Sequence, residues 1–162
     1  MQASCTCGEV AFEAEGAPLL HVSCYCDDCQ AGSGRLEALP NAPRTLGPDG
    51  GTDYVLFRRD RFRPLQGDAL LSDVRLRDRS PTRRVAASCC NAPMFTDFQK
   101  GHWVSVYRDR LSGDVGPVQM RVQTRFKPAG AELPADAPAY PAFPLRLVAT
   151  LLRARLAMLF GR

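Results

Sequence analysis

The sequence predicts a mostly β domain of small antiparallel sheets pinned by zinc, followed by a C-terminal amphipathic helix. Three observations predict it. Many short segments alternate apolar and polar residues, all seven cysteines fall into three clusters, and the end of the chain is apolar with helical periodicity. A chain of 162 residues can bury one core of its own, so metal would supplement the fold and supply chemistry.

The strand candidates are rich in β-branched or aromatic residues and are separated by turn signals. They are residues 10–14, 19–23, 54–57, 70–76, 84–87, 102–107 and 119–126. In the last candidate Met120 and Val122 alternate with Arg121 and Gln123, so one face of the strand should be buried and the other exposed to solvent. So many short strands indicate a mostly antiparallel β domain.

Glycine and proline mark the remaining boundaries. A short helical turn is predicted over residues 27–31, closed by Gly32 and Gly34, and a proline- and glycine-rich loop follows over 40–51. We therefore predict three parts, which are a zinc-binding β domain over residues 1–126, a proline-rich connector over 127–144 and the C-terminal amphipathic helix over 145–162.

The C-terminal segment is the one strong helical pattern. Residues 145–160 are apolar apart from Arg146, Thr150, Arg153 and Arg155. Such a helix would be about 24 Å long, which is short of a hydrocarbon core of about 30 Å. We therefore expect no transmembrane span. The helix is expected to dock on the domain or on a second subunit, with contact to a membrane surface as the alternative.

Charge is distributed unevenly along the chain. Residues 1–57 hold eight acids and two bases, whereas residues 58–84 hold nine arginines and four aspartates. The net charge of +4 is small for a nucleic-acid binder, although the arginine-rich stretch could attract a small anion. The first residues contain neither a basic nor an apolar leader region, so we expect reduced thiols and a cytoplasmic location.

The cysteines occur at spacings that suit metal binding. The clusters are Cys5 with Cys7 as CxCG, Cys24 with Cys26 and Cys29 as CxCxxC, and the adjacent pair Cys89 and Cys90. Thiolates favour zinc over calcium or magnesium, and an iron site is a weaker alternative. A closed site uses four protein ligands and a catalytic site three, so seven thiols suit one or two Zn²⁺ ions.

Cys24, Cys26 and Cys29 can bind one ion on a single turn and leave its fourth position open. A zinc ion with three thiolates is a weak Lewis acid that suits an incoming thiol better than water. Asp27 and Asp28 lie inside this loop, where a carboxylate could accept the thiol's proton or simply cap the following turn.

Cys5 and Cys7 need two further ligands, and Cys89 and Cys90 remain. Neighbouring side chains on a strand point to opposite faces. Either a turn over residues 88–91 brings both sulfurs inward, or one of the two is not a ligand. His21 and His102 are lone histidines, for which we expect ordinary roles within strands and not metal binding or base catalysis.

Three stretches carry a family resemblance. CTCGEVAFEAEG, HVSCYCDDCQAGSG and RRVAASCCNAP resemble the glutathione-dependent formaldehyde-activating enzymes, a family that includes centromere protein V. The resemblance spans about residues 4–107 and implies a β-tent fold with one structural and one catalytic-type zinc. By position, it implies Cys5, Cys7 and Cys90 as structural ligands, with Cys24, Cys26 and Cys29 around the reactive ion. In the third stretch the family normally has a CxxCG pair. Its second cysteine corresponds to Cys90 here, but its first falls on Ala87, so Cys89 would substitute from a shifted position.

Residues and resemblance together favour a zinc-dependent carbon–sulfur lyase-like enzyme. Its substrate would be a thiol–aldehyde adduct such as S-hydroxymethylglutathione, with Cys24, Cys26, Cys29 and Asp28 as the catalytic residues. Arginines between Arg58 and Arg84 would hold the carboxylates of the thiol. The alternatives are a non-catalytic zinc-stabilised binding module and, less favoured, a redox sensor.

Overall fold

The computed structural model describes residues 1–161, which form two sheets and two α-helices. The strands are β1 (Gln2–Ser4), β2 (Ala11–Ala14), β3 (Leu20–Cys24), β4 (Thr52–Arg58), β5 (Phe62–Gln66), β6 (Leu71–Val74), β7 (Thr82–Ala87), β8 (Ala92–Phe98), β9 (Trp103–Tyr107) and β10 (Met120–Val122). The helices are α1 (Asp27–Glu37) and α2 (Leu145–Leu159). This confirms the prediction of a mostly β fold with a C-terminal helix.

The smaller sheet has the order β1-β2-β5, and the larger has the order β10-β3-β4-β9-β8-β7-β6. Among the described strands, β10 is parallel to β3 and the other pairs are antiparallel. One core lies between the two sheets, around Phe12, Phe57 and Val106. A second core covers the opposite face of the larger sheet, where side chains of β3 and β4 pack under α1 and α2.

Three strands were missed because their sequences contain weak strand signals. β1 is three residues long, and β5 is interrupted by Pro64 and largely exposed. β8 includes Pro93, which lies opposite Ala86 where the register of the β7–β8 pair shifts. Proline is tolerated at such an irregularity because no ladder hydrogen bond is required of its nitrogen. Alternation alone does not reveal these positions.

The predicted strand over residues 119–126 was wrong in length and in exposure. β10 ends at Val122, Gln123 has a φ of 60°, and a 3-10 turn occupies Thr124–Phe126. Arg121 was expected on the wet face but is 4% exposed. The connector packs over it, since Arg121 Nη2 donates to Asp136 Oδ1 at 2.6 Å and Arg121 Nε donates to the Pro134 carbonyl oxygen at 3.2 Å.

The predicted turn over residues 27–31 is the start of a longer helix. Gly32 and Gly34 lie inside α1 and do not end it, contrary to the expectation. The N-cap is Cys26, whose sulfur accepts a hydrogen bond from the Cys29 backbone N–H at 3.4 Å. Asp27 and Asp28 occupy the first turn, where carboxylates favour the positive end of a helix dipole.

Helix α2 docks on the large sheet through one stripe. Leu147 and Ala154 are buried and Leu151 is half-buried on the sheet side. His102 Nε2 lies 2.6 Å from the Leu151 carbonyl oxygen, which ties the helix to the start of β9. His102 was expected within a strand but precedes β9, and its ring contacts the backbone of the helix. Arg162, the last residue of the predicted helical segment, lies outside the described residues.

The opposite face of α2 is apolar and exposed. Leu145, Leu152, Leu156 and Leu159 are all more than half exposed and recur at helical spacing. No helix among residues 1–161 combines the length and the apolar character that crossing a membrane requires.

Candidate metal centres

The seven thiols are free and gather into two groups in space. Cys5, Cys7, Cys89 and Cys90 form one group, and Cys24, Cys26 and Cys29 form the other. Within each group the sulfurs lie within 4.8 Å of one another. The partition into four and three expected from the sequence is therefore the partition that the fold produces. Which of these thiols bind metal stays a prediction.

Two turns assemble the four-cysteine group. The first joins β1 to β2, where Gly8 has a φ of 85° and the Val10 N–H donates to Cys5 Sγ at 3.3 Å. The second joins β7 to β8, where Asn91 has a φ of 53°. The turn places the sulfurs of both Cys89 and Cys90 in the group, the first of the two geometries considered above.

The sulfur separations fit tetrahedral zinc. Zinc–sulfur bonds of about 2.3 Å at tetrahedral angles place sulfurs about 3.8 Å apart. Cys5 Sγ lies 3.6 Å from Cys7 Sγ and 3.8 Å from Cys89 Sγ, and Cys7 Sγ lies 3.4 Å from Cys89 Sγ. A disulfide would need about 2.05 Å. Cys89 Sγ thus lies at a position that a fourth tetrahedral ligand beside Cys5, Cys7 and Cys90 could occupy.

The three-cysteine group lies where β3 passes into α1. Cys24 is the last residue of β3, Cys26 is the N-cap and Cys29 is in the first turn of the helix. Cys24 Sγ lies 3.6 Å from Cys26 Sγ and 3.5 Å from Cys29 Sγ. These separations also fit one tetrahedral ion. No other His, Cys, Asp or Glu of the described residues joins this group, so three corners of a tetrahedron are supplied.

The neighbouring sulfurs make Cys26 the easiest of the three to ionise. Hydrogen bonds from the Cys24 and Cys29 thiols lower the pKa of Cys26 to about 3, and the positive charge of Arg84 contributes to the same shift. The hydrogen bond with Cys26 raises the pKa of Cys24 to about 12. One thiolate is thus held by two thiols, and a cation is needed before all three can ionise together.

A cavity of about 360 Å³ adjoins the three-cysteine group. Cys24, Cys26 and Cys29 all line it, together with side chains of β4, β8, β9 and α2. Its volume lies near the lower end of the range for small-molecule sites. The larger cavity, of about 660 Å³, is lined by the loop of residues 43–51 and contains no cysteine. The three-cysteine group thus borders the smaller cavity.

One tyrosine that the sequence reasoning did not assign to the site lies in the wall of this cavity. Tyr54 lines it, and Thr96 Oγ1 lies 3.2 Å from Tyr54 Oη and 3.5 Å from Tyr107 Oη. Burial raises the pKa of Tyr54 well above its usual range, so its phenol stays protonated. The register offered a signal, because Tyr54 pairs with Val22 and shares a sheet face with Cys24.

Other predicted residues lie away from the cavity. Asp27 and Asp28 are exposed and do not line it. His21 is buried, with Nδ1 2.9 Å from the Gly116 carbonyl oxygen. The arginines expected to hold the carboxylates of a thiol do not line it either. Ion pairs join Arg58 to Asp60, Arg59 and Arg83 to Asp97, and Arg75 to Asp73.

Comparison with known proteins supports the resemblance drawn from the sequence. Residues 1–45 match the model of the GFA family, the glutathione-dependent formaldehyde-activating enzymes. The matched stretch holds five of the seven cysteines, including the whole of the three-cysteine group. The resemblance is therefore confirmed over this stretch.

A crystal structure of a Rhodobacter sphaeroides protein has a similar fold. The match covers 73% of this chain and 97% of that chain, with a TM-score of 0.51 and 19% sequence identity. At this identity the likeness concerns the fold alone. The search of curated proteins found no match.

Proposed function

We propose that the protein is a zinc-dependent carbon–sulfur lyase-like enzyme that acts on a thiol–aldehyde adduct, with S-hydroxymethylglutathione as the first candidate. The observation that carries the proposal is the open geometry of Cys24, Cys26 and Cys29. Three sulfurs at zinc-compatible spacing share the wall of a cavity of about 360 Å³, and no fourth described ligand joins them. The family match over residues 1–45 supports the same reaction class.

Zinc bound at this group would supply a fourth coordination position at which a thiol loses its proton near neutral pH. Cys24, Cys26 and Cys29 would hold the ion. In the proposed structural site Cys5, Cys7, Cys89 and Cys90 would hold a second ion and join the β1–β2 and β7–β8 turns. The free state of all seven thiols supports a reducing compartment, and we propose a cytoplasmic location.

Forming the adduct makes one carbon–sulfur bond and breaks the carbonyl π bond, and the proton that the thiol loses is balanced by one that the aldehyde oxygen gains. Cleavage reverses these changes. Tyr54 Oη lines the cavity, stays protonated, and lies 3.2 Å from Thr96 Oγ1. In this proposal Tyr54 donates a hydrogen bond to the aldehyde oxygen. Asp28, in the first turn of α1 next to Cys29, stays the predicted acceptor of the thiol's proton, and it would act from outside the cavity.

Cobalt substitution tests the proposal. Cobalt bound by thiolates has sulfur-to-metal charge-transfer bands that respond to a new thiolate ligand. Adding glutathione or another thiol to cobalt-loaded protein should change these bands, and Cys29→Ser should abolish the response. Bands that stay constant with every thiol would favour the alternative, a non-catalytic zinc-stabilised binding module in which the fourth position is closed.

We also propose that the exposed leucine row of α2 binds an anionic membrane surface. Leu145, Leu152, Leu156 and Leu159 form the row, and no acidic residue occurs after Asp136. Arginines accompany the row along the helix. A second copy would bring like charges together without an acidic partner, whereas anionic lipid supplies the opposite charge.

Vesicle sedimentation distinguishes binding to anionic lipid from contact with a second copy of the chain. The full chain should sediment with vesicles containing phosphatidylserine and not with neutral phosphatidylcholine vesicles, and added salt should release it. Leu152→Asp should reduce binding at least fivefold. A stable dimer in vesicle-free solution that Leu152→Asp dissociates would overturn the membrane assignment and favour contact between copies.

A further inference from the structure

The walls of the cavity beside the three cysteines are almost entirely apolar. Leu56 and Trp103 come from the sheet, and Leu147, Val148 and Leu151 come from α2. Phe143, at the end of the connector, completes the rim. The C-terminal helix is therefore part of the site itself and does not merely cover the domain.

No Asp, Glu, Lys, Arg or His of the described residues lines this cavity. Its polar side-chain groups are the sulfurs of the three cysteines, the indole N–H of Trp103 and the hydroxyls of Tyr54, Thr96 and Ser105. Glutathione carries two carboxylates and one ammonium group. Enclosing such charges in apolar surroundings without partners is strongly unfavourable. The cavity thus lacks the groups that would repay the desolvation of glutathione.

Three arginines of the stretch 58–84, in which the sequence placed the partners of the thiol's carboxylates, cannot be recruited without breaking other contacts. Asp97 is buried and receives both Arg59 and Arg83, so removing either would leave a buried carboxylate with fewer partners. Arg84 is 2% exposed, and its Nη2 donates to the Asp28 carbonyl oxygen beneath α1. These three arginines therefore bind a peptide-like thiol only at the loss of their present contacts.

We infer that this site takes an uncharged thiol with an apolar body, or its aldehyde adduct, in preference to glutathione. The inference rests on the proposed function, because the sulfur of the ligand is assigned to the open position at Cys24, Cys26 and Cys29. The apolar body of the ligand then lies along Trp103 and Leu151, and the adduct hydroxyl lies toward Tyr54. The volume of about 360 Å³ suits a body of the size of a benzyl or hexyl group.

Titration of the cobalt-loaded full chain with three thiols tests the inference. Benzyl mercaptan carries an apolar body, 2-mercaptoethanol a small polar one, and glutathione a charged one. We expect the charge-transfer bands to report at least tenfold tighter binding of benzyl mercaptan than of either other thiol. Transfer of a phenyl ring from water into apolar surroundings accounts for a difference of this size.

Two neighbouring leucines provide a matched pair of variants. Leu151 lines the cavity, whereas Leu152 is 58% exposed on the outer face of α2. Leu151→Asp should weaken binding of benzyl mercaptan at least tenfold at unchanged metal stoichiometry, and Leu152→Asp should leave it unchanged. If Leu151→Asp unfolds the protein, Phe143→Ala serves in its place, because Phe143 lines the cavity yet is 54% exposed. Phe143→Ala should weaken binding of benzyl mercaptan severalfold.

The outcomes separate the two proposals. If no thiol changes the cobalt bands, the proposed function fails. If thiols change the bands but glutathione binds as tightly as benzyl mercaptan, the proposed function stands and the apolar preference is overturned. Equal effects of Leu151→Asp and Leu152→Asp in well-folded protein would also overturn it, because the cavity wall would then have no part in binding.

Discussion

The guanidinium group of Arg84 passes across helix α1 at Gly32, where the helix has no side chain. A Cβ atom built on Gly32 would overlap Arg84 Nε, so any larger residue at this position requires the arginine side chain to move. Arg84 is almost completely buried, and its Nη2 donates to the Asp28 carbonyl oxygen. The glycine therefore makes room for a buried positive charge close to the three-cysteine group.

Gly32→Ala should destabilise the protein, because the new methyl group overlaps the Arg84 guanidinium in a packed site. We expect a loss of roughly 1–3 kcal/mol in the free energy of unfolding, measured by urea denaturation. Gly34→Ala is the matched control, since nothing lies within 4 Å of a Cβ there and the position is exposed in the same helix. It should be neutral or stabilise by up to about 1 kcal/mol. Equal effects of the two substitutions would contradict the packing argument.

Arg84→Met should weaken metal binding at the three-cysteine group. Arg84 contributes, after the hydrogen bonds from Cys24 and Cys29, to the lowered pKa of Cys26, so its charge favours the thiolate that metal binding requires. Removing such a supporting group commonly costs about 10- to 100-fold in metal affinity. Competition with a chromophoric chelator measures the affinity. Arg63→Met, at an exposed ion pair with Glu15, serves as the control and should leave it unchanged.

Cys89→Ser should remove one equivalent of zinc and lower the melting temperature. Its sulfur lies 3.4 Å from Cys7 Sγ and 3.8 Å from Cys5 Sγ, where a fourth tetrahedral ligand would be placed. A structural zinc site contributes directly to folding free energy. Elemental analysis of Cys89→Ser and Cys90→Ser compares the adjacent pair. If either variant kept all of its zinc and its melting temperature, that cysteine would not be a ligand.

The contribution of Glu37 to stability should depend on pH. Glu37 Oε1 accepts hydrogen bonds from the N–H groups of Thr45 and Leu46 at 2.7 and 2.8 Å. Burial opposes ionisation of Glu37, but these donors outweigh it and lower the pKa of the carboxyl group. Because the pKa of Glu37 is lower in the folded state, the ionised carboxylate stabilises the fold above the unfolded-state pKa of about 4.3. This stabilisation is lost as the pH falls through the folded-state pKa.

Glu37→Gln therefore should destabilise the protein at pH 7 and have a smaller effect as the pH falls below about 4. The difference in urea midpoint between wild type and variant, followed from pH 7 to pH 3, measures this. Asp68→Asn in an exposed 3-10 turn is a control of the same chemical type. A difference that stays constant across this range would mean that the ionised carboxylate has no special role.

Sequence reasoning succeeded where residues that gather in space are also close in the chain. Cys24, Cys26 and Cys29 fall within one turn, so their convergence follows from local geometry, and helix α2 follows from periodicity between Pro144 and Gly161. It failed where neighbours in space override a local pattern. Arg121 was expected to be exposed to solvent but is buried, because the connector returns across β10 and its Asp136 forms an ion pair with Arg121.

The sequence by itself determined which cysteines lie close together in the chain and where the C-terminal helix forms, since cysteine spacing and helical periodicity are properties of a few consecutive residues. Only the tertiary structure decided that Cys89 lies beside Cys7 across 82 positions of the chain. The tertiary structure also decided that side chains of α2 line an apolar cavity and that Arg84 lies beneath α1. These relationships depend on how sheets and helices pack over long sequence separations, and no local pattern encodes which side chains then face one another.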